Sequence, residues 1–184
     1  GDSMIEGDLV TQDIRKLFQQ WLGKSGIGYM PITSLTAGFR NSIGHTFSPE
    51  WNALNFAEHK NSIADFSISG YSFLLDKSNN AFCNFSLKDN QTNIVKIFAG
   101  NAKGKLKIHT NKSDTAFYLN NASGFVEIPY KTINTIKNVM FDFTADSSSI
   151  FYGVSLEGDS GFVLDNFSFR GNSGIALTKI KPQM

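Results

Sequence analysis

From about residue 63 to residue 169, short runs of alternating apolar and polar residues restrict the fold more than any other feature of the sequence. Cys83, Phe85 and Leu87, for example, alternate with Asn84 and Ser86. In a strand, successive side chains point to opposite faces, which gives a pattern that repeats every two residues. Nine runs are therefore predicted as strands: 69–76, 81–88, 93–99, 105–110, 115–119, 124–128, 138–144, 150–157 and 161–169.

The segments between these runs have the composition of turns. Residues 77–80, 88–91, 100–104 and 120–124 are rich in Asn, Asp, Gly, Ser and Lys,. No helical pattern separates the runs, so we expect the strands to pair antiparallel. Aromatic residues make up 13% of the chain and include 17 phenylalanines, which suits a core of large rings between two stacked sheets,. The sequence predicts a mainly β protein, an antiparallel jelly-roll-like β-sandwich.

One amphipathic helix is predicted before the sandwich. Val10, Ile14, Leu17 and Trp21 recur at intervals of three or four residues, as on one face of a helix,. Gly23 is the residue type that ends helices,. The apolar stripe needs a partner surface, which in the usual arrangement is a parallel sheet.

The connection between helix and sandwich, residues 24–48, is rich in Gly, Ser and Thr. It predicts an ordered segment with short extended pieces at 28–32 and near Phe39. A chain of 184 residues can bury one substantial core, whereas two complete domains would be tight,.

Charge and cysteine content exclude several classes of protein. Only 18% of residues are charged and the net charge is +1, which argues against nucleic acid or an anionic membrane as partner,. No apolar run approaches the roughly 18 residues of a membrane span. The single cysteine, Cys83, cannot form an internal disulfide and is predicted to be a small core residue,.

No cofactor or metal is expected. His45, His59 and His109 have no carboxylate or cysteine at ligand spacing and are predicted to be structural,. A calcium ion bound by sandwich loops is an alternative, although the spacing of the acidic residues does not match a calcium loop. The acidic residues considered are Asp142, Asp146, Glu157, Asp159 and Asp165.

The first seven residues, Gly1-Asp2-Ser3-Met4-Ile5-Glu6-Gly7, lead directly into the predicted helix. A serine where the chain turns into a helix is a standard position for a nucleophile, because backbone N–H groups there can stabilise an oxyanion. This stretch resembles the first block of the SGNH (GDSL-type) hydrolases. A second copy, Gly158-Asp159-Ser160, lies between two predicted strands and is predicted to be a hairpin turn,.

The resemblance extends beyond this block. Residues 26–32, 36–42 and 163–174 are similar to SGNH esterases of the bacterial carbohydrate or peptidoglycan O-acetylesterase type. In several of these, a β-sandwich resembling a carbohydrate-binding module is inserted between the first and second blocks. The resemblance implies a partial SGNH α/β segment at 1–50, a carbohydrate-binding-module-like sandwich at 51–164, and a return toward the hydrolase fold at 165–184.

The resemblance also implies roles for individual residues. Ser3 would be the nucleophile and its own N–H would contribute to the oxyanion hole, together with the N–H of Gly171. The Gly-x-Asn and Asp-x-x-His blocks have no match in the sequence. Because a serine hydroxyl without a base is a poor nucleophile, we expect the chain alone to be inactive. It would be the N-terminal part of a serine esterase that removes O-acyl groups, chiefly acetyl, from glycans.

A non-catalytic alternative remains, in which the sandwich is a carbohydrate-binding or scaffolding module. Exposed tyrosine and tryptophan rings can stack on sugars, although most aromatic residues of a sandwich belong to its core. Tyr118 and Tyr130 are predicted as the least core-like candidates for glycan binding. The full set is Trp51, Tyr71, Tyr118, Tyr130 and Tyr152. A purely structural surface domain is a third interpretation.

The expected partner is an acylated glycan or cell-wall polysaccharide, with no nucleic acid and no membrane span. Half of a hydrolase would expose an unpaired helix face and a sheet edge, which favours homodimerisation or disorder near either terminus. The resemblance implies a periplasmic or extracellular bacterial location, and no leader is present in these 184 residues.

Overall fold

The structure is a computed structural model that describes residues 3–58, 66–88, 91–121 and 123–168, with side chains described from residue 5 onward. In these ranges it contains two helices, α1 (Ser3–Glu6) and α2 (Thr11–Leu22), and a 3₁₀ turn at Ala37–Phe39. The strands are β1 (Gly28–Met30), β2 (Ile43–Phe47), β3 (Asn52–Asn55), β4 (Tyr71–Leu75), β5 (Asn80–Leu87), β6 (Ile94–Ala99), β7 (Ala102–Thr110), β8 (Asp114–Asn121), β9 (Val126–Lys131), β10 (Asn138–Ala145) and β11 (Ser149–Glu157).

These strands form two antiparallel sheets, which confirms the predicted mainly β sandwich. One sheet has the order β3-β4-β11-β6-β9, and the other has the order β2-β5-β10-β7-β8. Strand β1 joins the first sheet by pairing with the C-terminal part of β11, beyond the part that pairs with β4. Neighbouring strands far apart in sequence, such as β4 and β11, are typical of a sandwich with long crossovers.

A glycine makes the double pairing of β11 sterically feasible. The register of β11 against β6 shifts between Phe151 and Gly153, at the junction between its two partners β4 and β1. Gly153 has φ 142°, and a Cβ there would lie 2.5 Å from the ring of Tyr29. Only glycine allows β1 to approach this closely.

Large rings fill the space between the sheets. Phe73, Phe85, Phe143 and Phe151 are completely or almost completely buried, and the rings of Phe143 and Phe151 meet edge to face at 4.9 Å. Cys83 is also completely buried, which confirms its predicted place in the core. The alternation read from the sequence therefore separates core from surface in the central strands.

Eight of the nine predicted strands coincide with β4 to β11, and the ninth is wrong. In the described part of 161–169, Phe162 forms an isolated bridge with Lys24 and residues 163–168 form no strand. This segment instead forms hydrogen bonds with α2 and β1. The Leu164 carbonyl accepts hydrogen bonds from Arg15, and the Asp165 carboxylate accepts one from the Tyr29 N–H. The predicted hairpin at 158–160 is also wrong, because no strand follows it within 161–168.

The connection before the sandwich contains more structure than its composition indicates. An extended piece was expected at 28–32, and β1 lies there. Near Phe39 the expected extended piece is wrong, because residues Ala37–Phe39 form a 3₁₀ turn. Strands β1 and β2 precede residue 51, the predicted boundary of the sandwich, yet each pairs into one of its sheets.

Helix α2 has the predicted position, and Gly23 ends it with φ 92°. A surface helix usually buries its apolar side, whereas α2 buries polar side chains. Arg15 and Gln19 are buried, whereas Trp21 is 82% exposed and Leu17 58% exposed. Within the described residues, no helix is long and apolar enough to cross a membrane.

Candidate active site and glycan-binding surface

Ser3 is the first residue of α1, at the start of a compact turn that leads into α2. The Asp8 N–H donates to the Ile5 carbonyl at 3.0 Å, and the Asp8 carbonyl accepts from the Gln12 N–H at 2.9 Å. Asp8 has φ 63°, a left-handed conformation that Asp tolerates better than most residues,. The serine therefore precedes a tightly defined corner between two helices. Gly171, the second predicted oxyanion donor, lies outside the described residues.

A buried ion pair fixes this corner to the helix. Arg15 donates from both terminal nitrogens to the Asp8 carboxylate, at 2.9 and 3.1 Å, and both side chains are nearly inaccessible. The Arg15 Nε and Nη2 atoms also donate to the Leu164 carbonyl, at 3.1 and 3.0 Å. A buried ion pair is tolerated when its remaining hydrogen-bonding groups are satisfied. Arg15 meets this condition by binding the first and the last described segments at once.

Three further side chains hold the carbonyls of α1. Arg40 Nη2 donates to the Glu6 carbonyl at 3.3 Å, and Thr36 Oγ1 donates to the same oxygen at 3.4 Å. The Asn166 amide donates to the Ile5 carbonyl. Burial lowers the pKa of Arg40, while the carboxylates of Asp8 and Glu6 oppose that shift. Residues from two distant parts of the chain, 36–40 and 166, thus converge on the turn after Ser3.

The return segment is also tied to the sandwich. Gln19 Nε2 donates to the Ser25, Gly26 and Phe162 carbonyls, at 3.2, 3.0 and 2.8 Å. Asp165 accepts from the Tyr29 N–H at 2.7 Å. Helix α2, strand β1 and residues 162–166 therefore form one hydrogen-bonded unit.

The two described histidines have their partners in the sandwich. His45 is buried, its Nε2 lies 2.9 Å from the Ile32 carbonyl, and burial lowers its pKa to about 4. His109 Nδ1 lies 3.1 Å from Asp114. His59 lies outside the described residues. Neither His45 nor His109 belongs to the hydrogen-bond network around α1.

Four of the five acidic residues considered for calcium bind other groups: Asp146, Glu157, Asp159 and Asp165. Among the residues that the structure describes, no three His, Cys, Asp or Glu side chains are grouped to hold a metal ion. Glu157 pairs with Lys96 at 2.9 Å, and Asp159 pairs with Lys131. The calcium alternative therefore has no geometric support in these ranges.

The two predicted glycan-binding tyrosines differ in exposure. Tyr118 is 61% exposed, and its hydroxyl donates to Asp146 at 2.5 Å, a hydrogen bond that raises the pKa of the tyrosine. Tyr130 is only 9% exposed, packs in the core, and shares a hydrogen bond with Ser113 at 2.7 Å. A sugar can stack on the ring of Tyr118 but cannot reach the face of Tyr130.

Sequence reasoning missed the residues that position the corner. Asp8, Arg15, Arg40 and Asn166 have no chemical motif, and Arg15 lies on the helix face that usually meets solvent. Asp8 precedes α2 in a left-handed conformation, so its pairing with Arg15 does not follow from helical spacing. Arg40 and Asn166 lie in stretches that resemble the esterase family, but no sequence pattern indicates that they contact α1.

No family model matches the chain, and comparison with curated proteins also finds no match. Among solved structures, the chain is similar to one described as "Peptidoglycan O-acetylesterase in action, 5 min", with a TM-score of 0.66 and 17% identity. The similarity covers 99% of this chain and 49% of that one. At this identity it shows the fold alone, and the chain spans about half the length of that esterase.

Two weaker structural neighbours have carbohydrate in their descriptions. One is described as "The active site of a carbohydrate esterase displays divergent catalytic and non-catalytic binding functions" (TM-score 0.35, 9% identity, 62% of this chain and 29% of that one). Another is described as "Carbohydrate binding module family29" (TM-score 0.41, 8% identity, 70% of this chain and 87% of that one). TM-scores below 0.5 are too low to carry an argument about this chain.

Proposed function

We propose that this chain is the N-terminal part of an SGNH-type serine esterase that removes O-acyl groups, chiefly acetyl, from a glycan. The observation that carries the proposal is the convergence on the turn after Ser3. Arg15 binds Asp8 and Leu164, Arg40 binds Glu6, and Asn166 binds Ile5. The described parts of the stretches that resemble the family, at 3–7, 36–42 and 163–168, thus meet in space, although the sandwich separates the third from the first two in sequence.

In this proposal the Ser3 hydroxyl attacks the carbonyl carbon of the ester. The new Ser O–C bond forms as the carbonyl π electrons move to its oxygen, giving a tetrahedral oxyanion, and the base takes the serine proton. Collapse of this intermediate breaks the bond from the acyl carbon to the sugar oxygen, which leaves with that proton. Water then hydrolyses the acyl-serine to release the carboxylic acid and the free serine. The N–H groups of Ser3 and Gly171 would stabilise the oxyanion. The base would come from an Asp-x-x-His block outside these 184 residues, so the chain alone would be inactive.

The proposed roles of the segments follow the inserted-module arrangement. Residues 1–50 and 165–184 would belong to the hydrolase part, although β1 and β2 of the first segment pair into the sandwich sheets. Residues 51–164 would form the rest of a carbohydrate-binding-module-like sandwich that presents the glycan to Ser3. The similarity in fold to a peptidoglycan O-acetylesterase supports this arrangement. A periplasmic or extracellular location would bring the protein to its cell-wall polysaccharide.

The exposed apolar face of α2 further supports the proposal. Val10, Ile14, Leu17 and Trp21 are at least 40% exposed on the side of the helix turned away from Arg15 and Gln19,. An apolar stripe of this kind normally packs on a sheet. In the whole esterase, the remaining hydrolase sheet would cover it.

The test compares this chain with the longer reading frame that contains it, using p-nitrophenyl acetate and an O-acetylated cell-wall glycan as substrates. We expect turnover by the longer protein and none above background by this chain. Ser3→Ala in the longer protein should lower kcat by about three orders of magnitude or more. Ser160→Ala, in the second Gly-Asp-Ser copy, is the matched control and should leave kcat unchanged. Full activity of the Ser3→Ala variant would contradict the proposal, and Ser3-dependent turnover by this chain alone would contradict its inactivity.

The exposure of Tyr118 favours a second candidate function, a non-catalytic glycan-binding module. If binding is the only function, Tyr118→Ala should weaken binding of the glycan to this chain while Ser3→Ala has no effect on any activity of the longer protein. Isothermal titration with the acetylated glycan measures the first effect, and Tyr130→Phe serves as a control in the core. Unchanged binding by Tyr118→Ala would contradict this candidate.

A further inference from the structure

A groove of about 1,090 Å³ lies between α2 and the sandwich. Gln12, Lys16 and Gln20 of α2 line one side, and Asn41 and Lys137 line the other. The Gln12 side-chain oxygen accepts from the Asn41 N–H at 3.3 Å and so connects the two sides. The volume of the groove is at the upper end of ordinary small-molecule pockets and is enough for a short oligosaccharide.

The charge of the groove differs from that of the chain as a whole. Among the described residues, Lys16, Lys24, Lys88 and Lys137 line it together with the acidic residue Asp13. Arg15 also borders it, but Asp8 balances the charge of that guanidinium. No ion pair within 3–58, 66–88, 91–121 and 123–168 involves Lys16, Lys24 or Lys137. The groove is therefore a local cationic site on a protein whose net charge is only +1,.

Neutral polar groups fill the space between these cations. The side-chain amides of Gln12, Gln20, Asn41 and Gln91 line the groove, and each amide can both donate and accept hydrogen bonds,. The Ser42 hydroxyl borders the groove and has no hydrogen-bond partner among the described residues. This combination matches a ligand with many hydroxyl groups and some anionic groups.

The lining also argues against nucleic acid. Among the residues that the structure describes, no aromatic side chain lines the groove, whereas proteins that bind single strands stack bases on aromatic rings,. Hydroxyl groups of sugars can use the amides without stacking, and carboxylates can use the lysines. A carboxylated glycan fits both parts of the lining.

The groove lies on the polar side of α2, opposite Val10, Leu17 and Trp21. Gln12, Lys16 and Gln20 succeed one another at four-residue spacing along that side,. A partner that covers the apolar side would leave the groove open. Covering the apolar face and filling the groove are therefore independent events.

We propose that this groove binds a carboxylate-bearing glycan, with the lysines contacting carboxylates and the amides contacting hydroxyl groups. The proposal rests on the proposed function only in taking a glycan as the ligand. It adds the charge of that glycan and the place where it binds. The site is distinct from the Tyr118 surface on β8.

The test measures binding of two matched probes to the 184-residue chain by isothermal titration. The probes are oligogalacturonate and the same oligosaccharide with its carboxyl groups methyl-esterified. We expect the carboxylated probe to bind about tenfold more tightly at low salt, and the difference to shrink as salt increases. Equal binding of the two probes, or binding of neither, would overturn the proposal.

Charge-reversal variants locate the site. The double variant Lys16→Glu/Lys137→Glu changes both sides of the groove and should weaken binding of oligogalacturonate by about tenfold or more. The control Lys105→Glu/Lys107→Glu makes the same charge change on β7, away from the groove, and should bind within about twofold of the parent. An equal loss in both variants would overturn the assignment, and circular dichroism confirms that each variant is folded. Tighter binding of a single-stranded DNA 12-mer than of oligogalacturonate would also overturn it.

These outcomes are separable from those of the proposed function. Ser3-dependent turnover by the longer protein, with no oligogalacturonate binding, would reject the groove and keep the esterase. Binding in the groove, with a Ser3→Ala variant of full activity, would reject the esterase and keep the groove.

Discussion

The sandwich and helix α2 differ in which side chains they bury. In the sandwich, apolar side chains such as Phe73 and Leu106 are completely buried and polar residues face outward. In α2, Arg15 and Gln19 face inward, and Trp21 faces outward. The sandwich therefore completes its own core, whereas α2 is attached by directional hydrogen bonds and leaves its apolar face uncovered.

This difference shows which part of the molecule stands alone. Burial of apolar surface is insensitive to direction and stabilises the sandwich as a unit. The attachment of α2 depends on a few satisfied polar groups, each of which becomes costly if its partner is removed. Substitutions in the two regions should therefore differ in size and in what they unfold.

The largest effect is expected in the sandwich core. Phe143→Ala removes a ring that packs against Phe151 and should lower the free energy of unfolding by about 4 kcal/mol, because the cavity cannot fully collapse,. Urea denaturation followed by circular dichroism measures the change. Leu17→Ala on the exposed face of α2 is the control and should change it by less than about 0.5 kcal/mol,. Equal losses would contradict the contrast between the two regions.

Arg15→Leu should release α2 while leaving the sandwich folded. The substitution leaves the Asp8 carboxylate buried without its partner, which costs about 3 kcal/mol for a buried pair,. Hydrogen exchange should speed up in α2 and stay slow in β5 and β10. Lys16→Leu is the matched control on the next residue. Uniformly faster exchange across both sheets would show that α2 and the sandwich unfold together.

Acid should weaken the sandwich through His45. Burial lowers the pKa of His45 to about 4, below its ordinary value of 6.5, so the folded protein favours the neutral ring. The stability contributed by this neutral ring is fully present above pH 6.5 and is lost as pH falls toward about 4. The loss amounts to about 3 kcal/mol.

Urea denaturation of wild type and His45→Gln at pH 7.5 and pH 4.5 separates this effect from other titrations. The difference between the two pH values should be smaller in His45→Gln. The same pH dependence in both proteins would assign acid sensitivity to other groups.

The smallest effect on stability is expected on the exposed face of α2. Leu17→Ser/Trp21→Ser should change the free energy of unfolding by less than about 1 kcal/mol, because these side chains bury little surface in the chain,. The substitutions should reduce any self-association, which analytical ultracentrifugation measures. A large loss of stability would show that this face is covered within the chain itself.

The parts of the fold that follow from local patterns could be predicted from the sequence. Alternation located β4 to β11, because each strand has one face in the core,. The same alternation failed at 161–169, where Arg15 and Tyr29 bind the segment that would otherwise pair as a strand. Strand β2 was missed because His45, a polar residue, occupies a buried position and breaks the apolar alternation.

The candidate site depended on contacts that a one-dimensional pattern does not contain. The position of α2 was correct, but the side that would meet the protein could not be predicted, because its polar side has partners far along the chain. Tyr130 lies beside Pro129 and reads as a surface residue, yet its ring is in the core. The lysines of the groove come from residues 16, 24, 88 and 137, and only the fold brings them together.

The Arg15 and Gln19 contacts also set an order of events during synthesis. Arg15 is 149 residues from Leu164, and Gln19 is 143 residues from Phe162. At about 5 to 20 residues per second, a ribosome needs roughly 7 to 30 s to make the distant partner. Throughout that interval Arg15 and Gln19 have only their local partners Asp8, Ser25 and Gly26. A nascent chain with this design would benefit from a chaperone that binds α2 until residues 162–164 have been made.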